Sequence, residues 1–235
     1  MLQIEVNGRF HQTFPGGHVG VLLIGNVDNR KRPTPLDEKK REIEARLREK
    51  FADFSRADLL ELEILQAYRD YYKQFKKTYH VQLQLESIVH KGKSLPSVSP
   101  LVDANFAAEL ESLVLTAGHD ADLLEPPITI DATQEGDEFI QMNGSPQPLK
   151  PGDMMMSDGQ GIICTIIYGQ DKRTPITPKT RRALYVAYAP VGVGVTAVQQ
   201  QLNLIHENIL LFSPEAAVEL LKIYPAGLSD QERQP

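Results

Sequence analysis

The chain is poor in several things that would mark a well-known class. It has one cysteine, Cys164, in 235 residues, so no intramolecular disulfide can form and a reducing compartment is expected. No eighteen-residue apolar run is present, which leaves no candidate for a membrane-spanning helix. The opening Met-Leu-Gln-Ile-Glu-Val alternates in polarity too early for a signal peptide, so a cytoplasmic protein is expected. There is no excess of positive charge: the net charge is −6, and any nucleic-acid contact has to come from a local basic patch. No P-loop, Rossmann glycine pattern, CxxC pair, HExxH, GxSxG or internal repeat occurs. No cofactor and no metal are therefore expected.

What is present is enough for a core. The apolar fraction is 41%, and the length favours one large domain over residues 1–235. Two intimate lobes, 1–90 and 91–235, are the alternative division. Leu2, Ile4 and Val6 alternate with polar residues like a half-buried strand, and Asn7-Gly8 reads as a tight hairpin turn. Val19 to Gly25 is a short continuous apolar run, as in a strand covered on both faces. A polar, exposed connection is expected from Arg30 to Pro35. Helical spacing follows from Leu36 to Ser55 through Ile43, Leu47 and Phe51, and again from Arg56 through Leu60, Ile64, Tyr68 and Tyr72. In the second helix Arg69, Lys73, Lys76 and Lys77 alternate with Tyr68, Tyr71, Tyr72 and Phe75. Such interleaving suits either a nucleic-acid strand or an amphipathic core helix with lysine stems over its edge. Val81 to Val89 continues the helical pattern.

The stretch from Lys91 to Asn105 is the one around which the chain is organised. It joins Lys91 and Lys93 to Ser94, Pro96, Ser97, Ser99 and Pro100. Proline fixes φ and removes a donor, so the crossing is stiff. Its hydroxyls and free amides suit a small polar ligand, or simply a helix cap, for which Asp103 and Asn105 are good residues. An apolar helix is expected from Val102 to Thr116, stopped by Gly118. His119-Asp120-Ala-Asp122 then reads either as a polar turn or as a base with two carboxylates, a weak metal pattern. Strands are expected at Ile128–Ile130, Phe139–Gln141, Met154–Met156, Ile162–Ile167 and Ala183–Ala189. Lys172, Arg173, Lys179, Arg181 and Arg182 form a second basic cluster. Val193 to Leu210 reads as a helix, and Ser213-Pro214 as the start of another through Val218 to Leu221. Cys164 reads as a core residue.

These residues resemble the free-standing relatives of the B3/B4 tRNA-binding (editing) domain of the phenylalanyl-tRNA synthetase beta subunit. The resemblance is carried by Phe14-Pro-Gly16, Val19-Gly-Val, Gly25-Asn-Val-Asp28, Ala67-Tyr-Arg69 and Phe75. Its most specific part is Gly92-Lys-Ser-Leu-Pro-Ser-Val-Ser-Pro-Leu-Val-Asp103 with Asn105. Asp120, Gly136-Asp-Glu, Leu149, Pro151-Gly-Asp153, Asp158 and Thr177 to Thr180 complete it. It implies an α+β, B3/B4-like three-layer fold with a sheet-rich, β-sandwich-like core and flanking helices. It also implies tRNA binding and hydrolysis of mischarged aminoacyl-tRNA in trans. In the synthetases, a His in a Gly-x-Pro-x-His-x-x-Asp run and a Glu in a Gly-Gly-Glu turn serve the editing pocket. Here Ala117 takes the place of that His, and Lys172 that of the Glu.

The roles implied for this sequence follow from those positions. His119 and Asp171 would orient water as catalytic groups. Ser97, Ser99, Asp103, Asn105, Asp120 and Asp158 would bind substrate. Lys91, Lys93, Lys172, Arg173 and Arg181 would contact the tRNA acceptor end. Lys172 in place of an acidic group also fits a binding module without turnover, for tRNA or a free amino acid. The acidic net charge fits reuse of the fold for another small ligand.

Overall fold

The computed structural model describes residues 2–30 and 34–227; residues 31–33 of the expected polar connection and the polar C-terminal tail, 228–235, lie outside the described residues. The chain is α+β. Its first part runs β1 (Ile4–Val6), α1 (Gly8–Thr13), β2 (His18–Gly25), α2 (Thr34–Lys50), α3 (Arg56–Leu59), α4 (Glu63–Gln74) and α5 (His80–Lys91). After the crossing come α6 (Pro100–Ser112), β3 (Thr116–Asp120), β4 (Ile128–Ala132), β5 (Glu138–Ile140), β6 (Pro146–Pro148) and β7 (Met154–Asp158). The chain closes with β8 (Gly161–Thr165), β9 (Gly169–Gln170), β10 (Ala183–Ala189), α7 (Val195–Leu210) and β11 (Ala217–Pro225).

Three layers result. A four-stranded antiparallel sheet, ordered β11-β2-β10-β3, lies at the centre. All seven residues of β10 are buried, because both faces of the sheet are covered. One face carries α6 and α7: the Tyr185 hydroxyl donates to Leu101 O of α6 at 2.9 Å, and α7 lies on β2 over Gly20. The other face, which carries Tyr188, looks onto Cys164 in a five-stranded sheet ordered β1-β4-β7-β8-β9. In that sheet β1 pairs with β4 in parallel and the rest are antiparallel. The pair β5-β6 is a separate hairpin.

The tyrosines of α4 and Tyr79, at the cap of α5, fasten the helical part to the sheets. Tyr68 donates to Tyr188 O at 2.5 Å, Tyr71 to Asp153 Oδ1 at 2.6 Å, Tyr72 to Ile166 O at 3.0 Å and Tyr79 to Leu113 O at 2.9 Å. Buried aromatic bodies with satisfied hydroxyls are a core device. The aromatic side of the α4 pattern therefore faces inward, and its lysines Lys73, Lys76 and Lys77 lie outside it, exposed.

Five local expectations are corrected. Asn7-Gly8 is not a hairpin turn: Asn7 caps α1 through its side chain, 3.0 Å from Arg9 N, and the partner of β1 is the distant β4. Helix α6 starts at Pro100 after Ser99, so Asp103 and Asn105 lie inside it and are not its caps. It ends at Leu113, held left-handed at φ 62° while Tyr79 bonds its carbonyl, and not at Gly118. His119 and Asp120 accordingly belong to a strand, β3, rather than a turn. The segment after Ser213 is also a strand, β11, not a helix. It supplies the outer hydrogen bonds of β2, and its bulge at Val218/Leu220 frees Glu219 to pair with Arg182.

Gly20 gives a direct test of the layer contact. A methyl there would overlap Val198 Cγ1 and reach Leu202 Cδ1 at 3.1 Å. Gly20→Ala is expected to lower unfolding free energy by about 1–3 kcal/mol, read from urea midpoints, as overpacked cores do.

Candidate functional site

The crossing between α5 and α6 is fixed by one buried cation. Lys40 of α2 is 4% exposed and donates to Pro96 O at 2.7 Å, Ser97 Oγ at 3.0 Å and Asp103 Oδ2 at 2.9 Å. The other Asp103 oxygen accepts from Val98 N at 2.7 Å. Leu101 N donates to Asn29 Oδ1, whose amide donates to Thr177 O. Ser97, Ser99 and Asp103 thus face a depression shared with Arg30, Lys40 and Arg41. The Ser99 hydroxyl is buried there without a partner among the described residues.

Val98 is the divide. On its other side lies a partly open cavity of about 330 Å³ along β3, the edge strand of the central sheet. The α6 side supplies Val98, Val102, Asn105 and Phe106; β3 supplies Thr116, Ala117 and Gly118. The hairpin beyond β8 supplies Gly169, Gln170, Pro175 and Ile176, and the far wall is Cys164, Thr165, Ile166, Tyr185 and Tyr188. Met142 and His80 complete the lining. The crossing and the hairpin therefore meet at one concave surface, chiefly through apolar and amide groups. Such a cavity, apolar with a few placed polar groups, is the usual form of a small-ligand site.

The polar groups are positioned from behind. Asn105 donates to Thr116 O at 3.0 Å, and Gln201 of α7 donates to Thr116 Oγ1 at 2.9 Å and accepts from Ser112 at 2.6 Å. Glu109 accepts from Thr116 N at 2.8 Å. Burial pushes its carboxyl up to about 8, against which the Thr116 and Asn105 bonds act. In the register of β3 on β10, Leu115 O accepts from Tyr188 N. Thr116, Gly118 and Asp120 therefore turn their N–H groups away from β10. Thr116 N is taken by Glu109 and Asp120 N by Thr174 O, whereas Gly118 N finds no partner among the described residues and borders the cavity.

The sequence-derived candidates are distributed unevenly around this cavity. Asn105 lines it. His119, on the same side of β3 as Ala117 but two residues on, does not: it is fully buried, with Nδ1 2.8 Å from Thr174 Oγ1 and 3.1 Å from Gln170 Nε2. Burial drives its imidazole down to about 3, so the ring is neutral. Asp171 accepts from the Thr174 hydroxyl at 2.9 Å and pairs with Arg173 at 2.8 Å; burial raises its carboxyl despite both. Asp158 is buried too, yet the Arg173 ion pair and backbone donors bring it below the ordinary carboxylate range. Asp120 accepts from Thr180 at 2.6 Å and Asp122 N at 3.1 Å, holding the strand end. None of these four carboxylate or imidazole groups is on the cavity wall.

The basic candidates are also separated. Arg173 is committed to Asp158 and Asp171, and Arg181 donates to Pro178 O and Thr180 O. Lys172 is exposed beside the hairpin. Lys93 borders a different shallow depression with Leu95 and Pro96, and Lys91 is exposed at the end of α5. Among the described residues no three His, Cys, Asp or Glu side chains gather as metal ligands, and no helix is long and apolar enough to cross a membrane.

Sequence reasoning missed His80, Ala117, Gly118, Cys164 and the tyrosines of β10 as lining groups. The resemblance, which sets Ala117 in the place of the pocket His, pointed to position 117, and strand periodicity at 116–120 would have put His119 on the same side two residues on.

A family model described as the B3/4 domain matches residues 65–221. No curated protein matches. Among solved structures, an N-terminal fragment of the phenylalanyl-tRNA synthetase beta-subunit from Pyrococcus horikoshii aligns with a TM-score of 0.49 and 11% identity. That alignment covers 95% of this chain and 54% of the other, so this chain spans about half the length of that structure.

The buried Glu109 carboxyl makes a pH-dependent contribution. Its folded value of about 8 exceeds the ordinary 4.5, so the folded state holds the proton more tightly. Stability from this group is greatest below pH 4.5 and declines as pH rises towards 8. Glu109→Gln, which keeps an acceptor for Thr116 N, is expected to lose less stability than wild type between pH 5 and pH 8 in urea titrations.

Proposed function

The chain belongs to the B3/4 domain family, and from that membership we propose that its cavity along β3 receives the aminoacyl end of a tRNA. The observation that carries this reading is the meeting of the proline-serine crossing and the 169–176 hairpin at one cavity. Its apolar walls suit an amino-acid side chain, and Asn105, Gln170, Thr116 and the Gly118 N–H suit the polar backbone and ester atoms. At about 330 Å³ it falls in the range of small-molecule sites, with room for the aminoacyl group rather than a whole nucleotide stack. The exposed Lys172 is placed to meet a backbone phosphate outside it.

A second reading is a receptor for a free amino acid. It is favoured by the state of the cations: Arg173 and Arg182 are both spent on carboxylates, and the net charge is −6. Salt dependence separates the two. If tRNA is the ligand, Lys172→Glu weakens binding and flattens the log-affinity against log-salt slope by about one unit. A free amino acid gives little slope in either protein.

Ala117→Leu puts a branched side chain into the cavity. It is expected to weaken binding of an amide-linked aminoacyl-adenosine at least about tenfold, or ~1.4 kcal/mol, in calorimetric titration while the thermal midpoint stays near wild type. Unchanged affinity would place the ligand elsewhere.

A further inference from the structure

A second cavity, partly open and of about 680 Å³, lies against α4 and shares no lining residue with the one along β3. Ala67, Tyr71 and Gln74 recur at helical spacing, so one face of α4 forms its side. The turns after α1, before β7 and after β10 form the rest. Each turn contributes a proline, Pro15, Pro151 or Pro190, whose φ is fixed, so the walls are stiff. The aromatic groups come as a set. Tyr71 stands between Phe14 and Phe75, with ring centroids at 6.4 and 5.6 Å, and Met154 lines the same space. The Tyr71 hydroxyl is spent: it donates to Asp153 Oδ1 and accepts from Met154 N, both at 2.6 Å. Tyr71 therefore offers the cavity its ring alone, and Asp153 is not on the wall. Rings favour edge or offset contact with another ring, and a thioether adds to it.

Two charged residues, Asp70 and Lys150, line this cavity. The Asp70 carboxylate already has a cation beside it, with Arg69 Nε at 3.6 Å. Among the described residues no carboxylate lies within 4 Å of the Lys150 ammonium, nor of Lys77. Lys77 is close by: its ammonium is 5.0 Å from the centre of the Tyr168 ring, and the Tyr168 hydroxyl bonds the Lys150 backbone. The unspent charge at this rim is therefore positive. We propose that this cavity binds a small aromatic carboxylate, with its rings against Phe14, Tyr71 and Phe75 and its acid group at Lys150. The volume falls in the range of small-molecule sites, and the apolar walls suit a body of fused rings. One lysine on the wall answers one negative charge, which suits a carboxylate better than a phosphate dianion. The flexible lysine stem lets the ammonium meet the acid group at the rim. This site is independent of what enters the cavity along β3.

The test is calorimetric titration of the full chain with 2-naphthoate, with the neutral 2-naphthamide and with decanoate, which carries the acid group on an aliphatic chain. Wild type is expected to bind 2-naphthoate more tightly than either of the others. Lys150 is exposed, so Lys150→Glu leaves the fold intact. That variant is expected to weaken 2-naphthoate about tenfold or more and to leave 2-naphthamide unchanged. Ala117→Leu, which fills the cavity along β3, is expected to bind 2-naphthoate as wild type does. No binding of 2-naphthoate by wild type, or equal affinity in Lys150→Glu, overturns the proposal. Tighter binding of decanoate than of 2-naphthoate overturns the aromatic assignment. Loss of 2-naphthoate binding in Ala117→Leu places the ligand along β3 and overturns this site.

Discussion

The Lys40 ammonium is the constraint on which the site depends. It is enclosed by Pro96 O, Ser97 Oγ and Asp103 Oδ2, and it pins the crossing to α2 and α6 at once. Removing one member of a buried pair leaves an uncompensated charge, a loss of about 3–5 kcal/mol, whereas the intact pair adds little net stability. Its value is therefore positional. By drawing the polar atoms of the crossing to one side, it leaves Val98, Val102 and Asn105 to form the wall on the other.

A second consequence follows from the end of α6. Leu113 in the left-handed conformation turns the chain from helix to strand within three residues, and the Tyr79 hydroxyl holds its carbonyl. That short turn lays β3 on the edge of the central sheet, beside the helix that precedes it. The Thr174–Pro175 segment closes the far end of this edge at His119 and Asp120. Its near end, Thr116 to Gly118, is left to the cavity. An edge strand presents backbone groups without a strand partner, and here its near end borders a partly open cavity.

The same arrangement separates two kinds of ionisable group. Arg173 pairs with Asp158 and Asp171, and Asp171 and His119 meet at the Thr174 hydroxyl, so these groups hold the hairpin in place. His80 is an exposed residue on the cavity wall, with the Tyr72 hydroxyl 3.4 Å from its Nδ1. Desolvation lowers both imidazoles, but only His80 lies on the cavity wall. A perturbed group points to function when it lines a cleft, and to architecture when it does not.

Much of this was legible from the residues alone. The continuous apolar runs of β2 and β10, the helical spacing of α2, α4, α5 and α7, and the stiffness of the Pro96–Pro100 crossing all follow from local periodicity and proline geometry. What the residues could not decide was partnership. Whether Asn7-Gly8 turns a hairpin or caps a helix, and whether 217–225 is helix or strand, depends on β4 and β2 far away in the chain. Which face of the crossing borders the cavity depends on Lys40, fifty-six residues before Pro96. Local propensity differences are small beside the cost of leaving a buried donor, acceptor or charge unmatched, so long-range pairing settled each of these points.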